Sequence, residues 1–409
     1  DAAGGLHIAY AAYAPASQHP PAFYGYCPGP AAACVDPAAW RKVALGDIVD
    51  RVELALTPAG KPRLLYKTSS LAEGGAAYHY AACDANCTNP ASWATARVAA
   101  TSHIDPLDWD LPQRSFALDP QGRPRFVYYT GGAGDPRKGA FYAACDANCT
   151  NPANWVETKI SLGDEYNYEV FDEPVLAFTA AGQPRVLATI FTGSGSGIFY
   201  LACDAACGSP ASWKRVFLLD RGYGPRASWD LELDARGRPR VAIYQEGLDD
   251  GGGDVLIYGW CQADCLRDDA WFGQVLLPQH DGETPDLELD AQGRPRIAYK
   301  MSGAGGLGYL WCNVACESEG GVWKAELAEA NEVLDAAFPL PVPPHCDSAG
   351  WTGGAKPSLA LDAAGNAYVG SDALRLMRCE TSDPQDPSKP PQSRIEEYCH
   401  VRFSFFPQP

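Results

Sequence analysis

Residues 231–244 read LELDARGRPRVAIY, and this stretch decides the fold. Leu231 and Leu233 alternate with polar neighbours, a polar turn runs from Asp234 to Pro239, and Val241, Ala242, Ile243 and Tyr244 follow. The alternation has the period of a strand whose faces meet different surroundings. Gly237 supplies the backbone angle of a tight turn, and Pro239 stiffens the exit. The stretch therefore predicts a β-hairpin. It recurs at 54–66 (LALTPAGKPRLLY), 116–128 (FALDPQGRPRFVY), 176–188 (LAFTAAGQPRVLA) and 287–299 (LELDAQGRPRIAY), and more faintly at 359–369 (LALDAAGNAYV). Residues 6–10, LHIAY, match its second strand alone.

Outward from each hairpin the order is fixed. A Gly-rich loop follows, then an aromatic-rich third strand ending in cysteine, as in Phe141-Tyr-Ala-Ala-Cys145 and Ile257-Tyr-Gly-Trp-Cys261. A cysteine loop then closes on a tryptophan that opens the fourth strand: Trp40, Trp93, Trp155, Trp213, Trp271 and Trp323. The tryptophans read as anchors packing one repeat on the next. The spacing is about sixty residues, within reach of the longer propeller repeats. No amphipathic helix interrupts the pattern, so the chain is all-β: a seven-bladed β-propeller of four-stranded antiparallel blades.

A closed repeat array makes residues 1–409 a single domain. The expected blades are 1–46, 47–100, 101–162, 163–220, 221–278, 279–328 and 350–409, with a long Pro-bearing loop at 328–356. Residues 399–406 are expected to be a last strand that helps close the ring.

Fifteen cysteines, mostly in CxxxC pairs at one per repeat, read as a disulfide framework and an oxidising compartment. The expected bridges are Cys27–Cys34, Cys83–Cys87, Cys145–Cys149, Cys203–Cys207, Cys261–Cys265 and Cys312–Cys316. In blade seven, Cys379–Cys399 is expected as a stretched pair around the insertion 382–391, which leaves Cys346 over. Zinc fits poorly, because each pair offers two ligands and no histidine repeats with it. The net charge of −18 argues against nucleic acid and against an anionic membrane surface. No apolar run is long enough for a membrane helix. The chain begins Asp1-Ala-Ala, as a processed secreted protein does. Secretion, to the periplasm or cell surface, is the expectation.

The repeat resembles the LDxxGxPxxxY hairpin of secreted bacterial β-propellers, a broad group distantly similar to sialidase-type propellers. Its turn, Asp-x-x-Gly-x-Pro, departs from the Asp-box of sialidases, so the resemblance implies the fold and not sialidase chemistry.

Loops held by a rigid scaffold are where binding residues concentrate. The inter-blade loops carry His103, Trp109, Asp110, Tyr166, Tyr168, Tyr223, Arg226, Trp229, His280 and Trp351, the candidate ligand contacts. The arginines after the turn prolines (Arg63, Arg125, Arg185, Arg240, Arg296) read instead as hairpin ion pairs with Asp119, Asp234 and Asp290. Asn86-Cys-Thr88 and Asn148-Cys-Thr150 match a glycosylation triplet but fall inside the repeated cysteine loop.

One alignment stands apart. At the inner-strand start the repeats place Glu53, Ser115, Val175, Asp230, Asp286 and Ser358. Two residues on come Ala55, Ala117, Ala177, Glu232, Glu288 and Ala360. Blades five and six thus bring Asp230, Glu232, Asp286 and Glu288 to the channel mouth. Hard oxygen ligands suit Ca²⁺, paired carboxyls suit acid/base catalysis, and Arg221 or Arg226 would simply neutralise them. No GxSxG, HExxH, P-loop or dinucleotide fingerprint occurs in a fitting context, which points away from an enzyme. The expectation is a binding module for a carbohydrate, peptide or protein, with Ca²⁺ as a possible cofactor. The alternatives are a glycosidase- or esterase-like hydrolase using those four acids, and a structural surface or filament protein.

Overall fold

The computed structural model folds the chain into seven consecutive antiparallel sheets, the blades of a β-propeller. It describes residues 1–11, 21–29, 33–34, 36–46, 49–70, 75–101, 114–131, 137–162, 170–192, 195–220, 227–247, 253–278, 281–301, 306–318, 320–331, 334, 336, 346–381 and 392–408. Blades two (49–101), three (116–159), four (170–220), five (227–278) and six (281–330) have four strands in sequence order from axis to rim. Blades one (6–45) and seven (346–406) have three. Among the described residues the first strand of blade one, Leu6–Ala11, matches the second strand of the hairpin, and blade seven ends at the strand Gln392–Phe406. Among the described residues no helix is long and apolar enough to cross a membrane.

The hairpin forms as its sequence dictates. In blade five Leu231 lies opposite Val241, Glu232 opposite Arg240 and Leu233 opposite Pro239. The Asp234 carboxylate accepts from the backbone N–H of Arg236 and of Arg238, each at 2.9 Å, and Gly237 takes φ +74°. That left-handed angle carries little penalty only for glycine. The proline opens the second strand, where its missing N–H interrupts nothing.

Each arginine after the turn proline ties three parts of its blade together. In four blades it donates to the carbonyl of the first cysteine at 2.9–3.1 Å: Arg63 to Cys83, Arg185 to Cys203, Arg240 to Cys261 and Arg296 to Cys312. Arg125 makes the same bond to Cys145. The turn aspartates also pair with these arginines, Asp119 with Arg125, Asp234 with Arg240 and Asp290 with Arg296. Arg240 and Arg296 are almost wholly buried. Arg240 donates to the Pro239 and Cys261 carbonyls and to the Asp234 and Glu317 carboxylates, which is what keeps a buried guanidinium tolerable, whereas Arg296 uses its two terminal nitrogens and its Nε has no partner among the described residues.

The cysteine loops carry six disulfides: Cys27–Cys34, Cys83–Cys87, Cys145–Cys149, Cys203–Cys207, Cys261–Cys265 and Cys312–Cys316. Such bridges place the folded chain in an oxidising compartment. The residue before the second cysteine is left-handed in five loops, with φ between 53° and 56° at Asn86, Asn148, Ala206, Asp264 and Ala315. Asparagine tolerates that conformation well, so the triplets at Asn86 and Asn148 reflect loop geometry.

The tryptophan ending each loop turns its indole N–H onto the carbonyl of the second cysteine, at 2.8–3.1 Å for Trp40, Trp93, Trp155, Trp213 and Trp271. The sixth loop has one residue more, and the Trp323 indole N–H has no partner among the described residues. The ring packs edge-on against a third-strand tyrosine of the preceding blade. The pairs are Tyr24–Trp93, Tyr80–Trp155, Tyr142–Trp213, Tyr200–Trp271 and Tyr258–Trp323, with centroids 5.0–5.6 Å apart. Each is worth ~0.5–1.5 kcal/mol beyond the area it buries. At the last interface Phe406 takes the tryptophan's place and stacks on Tyr309 at 4.5 Å.

Blade seven corrects the sequence reading in three respects. Its inner strand begins at Cys346, so about half of the expected 328–356 loop is strand, in Trp323–Ala330 and Cys346–Leu361. Cys379 lies in the second strand, Ala367–Thr381, and the third is Gln392–Phe406. Residues 382–391 thus join strands two and three, rather than swelling a cysteine loop. The Cys379–Cys399 pair also fails: Cys379 is opposite Arg394 and Cys399 opposite Leu374. Five ladder positions is far beyond disulfide reach. Cys346 is not left over; it is disulfide-bonded, and the residue across the ladder from it is Cys379.

Candidate functional site: the axial carboxyl cluster

Inner strands run side by side around the axis, and a side chain at their aligned position can reach the next blade. In blade two, Glu53 accepts from the Ser115 hydroxyl at 2.7 Å and from the Phe116 backbone N–H at 2.8 Å. Asp230 accepts from Leu287 N–H and Asp286 from Leu359 N–H, both at 2.7 Å. These three acids share one task, stitching an inner strand to its neighbour. Burial pushes Glu53 up to about 7 against the pull of those hydrogen bonds.

Blades five and six also face a cation, for which Arg221 and Arg226 were one of the sequence alternatives. It is Arg114, from the start of blade three. Its guanidinium bridges Asp230 and Asp286, one nitrogen to each. The arginine backbone is fixed as well, since its carbonyl accepts from Leu176 N–H at 2.8 Å and it bridges to Val175. The other repeats put Val52, Pro174, Trp229, Pro285 and Pro357 at this position. A single charge there was the signal that sequence reasoning passed over.

Glu232 and Glu288 sit one step further along the inner strands, toward the hairpin turns, and are only half-buried. Neither makes a hydrogen bond to the described residues. Burial, then the charges of Asp286 and Asp230, push Glu288 up to about 8, with Arg114 opposing. Glu232 is raised by burial and by Glu288 and Asp230. Asp286 itself reaches about 7, chiefly through burial, held back by Arg114. Ala55, Ala117, Ala177 and Ala360 occupy the matching positions of the other inner strands and are likewise accessible to water. The channel wall is therefore small and neutral on one side and carries two weak acids on the other.

Asp230 and Asp286 thus differ from the expected open channel-mouth acids: they are buried, bonded and ion-paired. Among the described residues no three His, Cys, Asp or Glu side chains form a metal-ligand set. Trp229, expected in a ligand face, is buried, and its indole N–H donates to the Glu173 carbonyl at 2.9 Å. It is a blade-to-blade contact. His103, Trp109, Asp110, Tyr166, Tyr168, Tyr223, Arg226 and His280 lie outside the described residues, as does the side chain of Trp351. A concavity of ≈480 Å³ lies at the rim, where Leu327 and Trp311 of blade six face Phe405 of blade seven.

Fold and site together define a disulfide-stapled propeller with an acidic, arginine-clamped axis. No known protein family matches the chain, and no curated protein is similar to it in sequence. Solved structures similar in shape include the polysaccharide lyase Uly1, at 8% identity and TM-score 0.47, covering 99% of this chain and 88% of that one. An endo-arabinase from Bacteroides thetaiotaomicron is 12% identical with TM-score 0.36, covering 70% and 93%. AofleA from Arthrobotrys oligospora is 12% identical with TM-score 0.41, covering 86% and 88%. The likeness is one of chain path alone.

Proposed function

We propose that the protein is a secreted binding module that takes a neutral, hydroxyl-rich ligand, a carbohydrate, at Glu232 and Glu288 in the axial channel. The observation that carries this reading is the state of that pair. Both are accessible, neither is hydrogen-bonded to a described residue, and burial with neighbouring charge holds both above the ordinary carboxylate range. Near neutral pH such a pair retains a proton and offers O–H donors and carboxylate acceptors side by side. That combination complements adjacent hydroxyl groups. Arg114 is engaged by Asp230 and Asp286, so it is not offered to a carboxylated sugar, and the ligand is neutral.

A second reading, hydrolysis, rests on the same raised Glu288, since a carboxyl kept protonated beside other acids is what a general acid needs. The test is a thermal-shift titration with neutral oligosaccharides, uronic-acid oligosaccharides, EDTA and Ca²⁺. A ligand specific for the folded state stabilises it by ~2.7 kcal/mol at a hundredfold excess over its Kd. The expected result is a saturable rise with a neutral sugar that Glu288→Leu abolishes. A response only to uronic acids, or only to Ca²⁺, refutes the neutral-ligand reading. Release of reducing ends, lost in Glu288→Gln, replaces binding by hydrolysis.

A further inference from the structure

The axial pair Glu232 and Glu288 lies near the turn end of the inner strands Ala227–Leu233 and Asp281–Leu289, and the two ends of the channel are built differently. Resting on the carbohydrate reading of that pair, we propose that it is entered from the hairpin-turn face, between the turns of blades five and six. This mouth takes a neutral oligosaccharide end-on, and Arg236 and Gln292 hold the units that remain outside.

Three observations carry it. The first is that the opposite approach is crossed. Arg114 comes from blade three and bridges Asp230 and Asp286 of blades five and six, so its guanidinium reaches across the channel one step to the loop side of the pair. Toward the turns, only two residues, ~7 Å of strand, separate Glu232 from Asp234 and Glu288 from Asp290. The second is a gap in the ring of turns. A methyl group on Gly122, Gly182 or Gly237 would lie 3.3 Å from Pro58, 3.5 Å from Gln121 and 3.0 Å from Thr179, so each of these turns rests on the one before it. On Gly293, in the turn of blade six, it would meet nothing within 4 Å among the described residues. That turn is itself built like its neighbour, with Gly293 N–H on the Asp290 carbonyl and Gly237 N–H on the Asp234 carbonyl, both at 2.7 Å. The difference is therefore one of placement, and the row opens between the two blades that carry the pair.

The third observation is the chemistry of the lip. The residue before the turn glycine is Ala59, Ala181 and Ala364 in blades two, four and seven, but Gln121, Arg236 and Gln292 in blades three, five and six. Those are the blades that supply Arg114, Glu232 and Glu288. Arg236 and Gln292 stand on either side of the gap and are both exposed. The Arg236 guanidinium has no partner among the described residues. Gln292 spends its Oε1 on Arg294 at 3.0 Å, which turns its amide N–H groups outward for use. Guanidinium and amide both donate, and the oxygens of sugar hydroxyls accept, so the lip continues the hydrogen-bonding character of the pair beneath it.

The experiment is isothermal titration calorimetry of the full chain near neutral pH with the mono- and hexasaccharides of glucose, xylose, arabinose and galactose, and with hexagalacturonate. In the sugar series that binds, the hexasaccharide is expected to bind at least about tenfold more tightly than its monosaccharide, and Arg236→Ala to cut that ratio at least about fivefold. Gly293→Asn keeps a residue that tolerates the left-handed angle and sets an amide in the gap. It is expected to weaken both sugars at least about threefold, with Tm within about 2 °C of the parent's. Equal affinity for the two lengths, a ratio that Arg236→Ala leaves unchanged, or binding indifferent to Gly293→Asn overturns the entrance and leaves the carbohydrate reading of the pair standing. No binding of any neutral sugar, or a preference for hexagalacturonate, overturns both.

Discussion

Replacing Arg114 with alanine tests the account of the axis most directly. The side chains of Asp230 and Asp286 are 2% and 4% exposed, so both lose their cation without gaining water. Removing one partner of a buried ion pair costs ~3–5 kcal/mol. The figure is not doubled for two pairs, because Asp286 escapes by taking up a proton. An unfolding entropy of ~2.1 cal/mol/K per residue over 409 residues gives ~0.86 kcal/mol/K. The expected fall in Tm at pH 8 is therefore about 4–6 °C. At pH 5 the fall is smaller. Asp286 already titrates at about 7 with the guanidinium present and rises further without it, so at pH 5 this partner has little charge to strand. Arg114→Lys recovers part of the loss, since one ammonium cannot fork between two carboxylates. Scanning calorimetry at the two pH values suffices. An equal fall at both, or none at pH 8, would refute the clamp.

Two further outcomes follow from the same contacts. Glu53, Asp286 and Glu288 titrate at about 7, 7 and 8 in the folded chain, above their ordinary values, so between about pH 4 and 8 the folded state binds more protons than the unfolded. Their stabilisation is complete near pH 4 and lost as pH rises through 7 to 8, so Tm falls from pH 5.5 to 8.5, and Glu288→Gln flattens part of that slope; a variant with an unchanged slope counts against the assignment. Trp155→Phe keeps an aromatic edge on Tyr80 but loses the bond to the Cys149 carbonyl, costing ~1 kcal/mol, whereas Trp323→Phe, whose indole N–H has no partner among the described residues, costs distinctly less; urea unfolding of the two variants gives the comparison.

The propeller was legible because its hairpin is local. Alternation, a left-handed glycine and a proline define strand, turn and strand within fourteen residues, and repetition does the rest. Even the half-copy at Leu6–Tyr10 was visible as a second strand, and it forms the strand Leu6–Ala11. Blade seven misled because Cys379 sits where an extended second strand carries it, and strand length leaves little trace when polar residues dominate. The acids at Asp230 and Asp286 were found, but their role was not. A stitch to a neighbour's backbone N–H uses an acceptor that every residue type with a carboxylate offers, and the donor has no sequence signature. Arg114 lies more than a hundred residues from its partners, so no local pattern links them. The arginines after the prolines were read as hairpin pairs with aspartate, which form, yet the partners shared by all five are the proline and cysteine carbonyls, and carbonyls are silent in sequence.

The tyrosine–tryptophan contact between blades has a consequence for how such a chain changes over generations. Every blade from two to five offers a tyrosine forward and a tryptophan backward in nearly the same geometry. The contact is head-to-tail, and the disulfide corner that aims each tryptophan lies wholly within its own blade. A whole blade lost or gained by misaligned recombination at the Gly-rich loops would therefore present matching faces to its new neighbours. The Arg114 clamp breaks that interchangeability. It ties blade three to blades five and six at fixed separation around the ring, so a change in blade number would have to spare the span from Arg114 to Asp286.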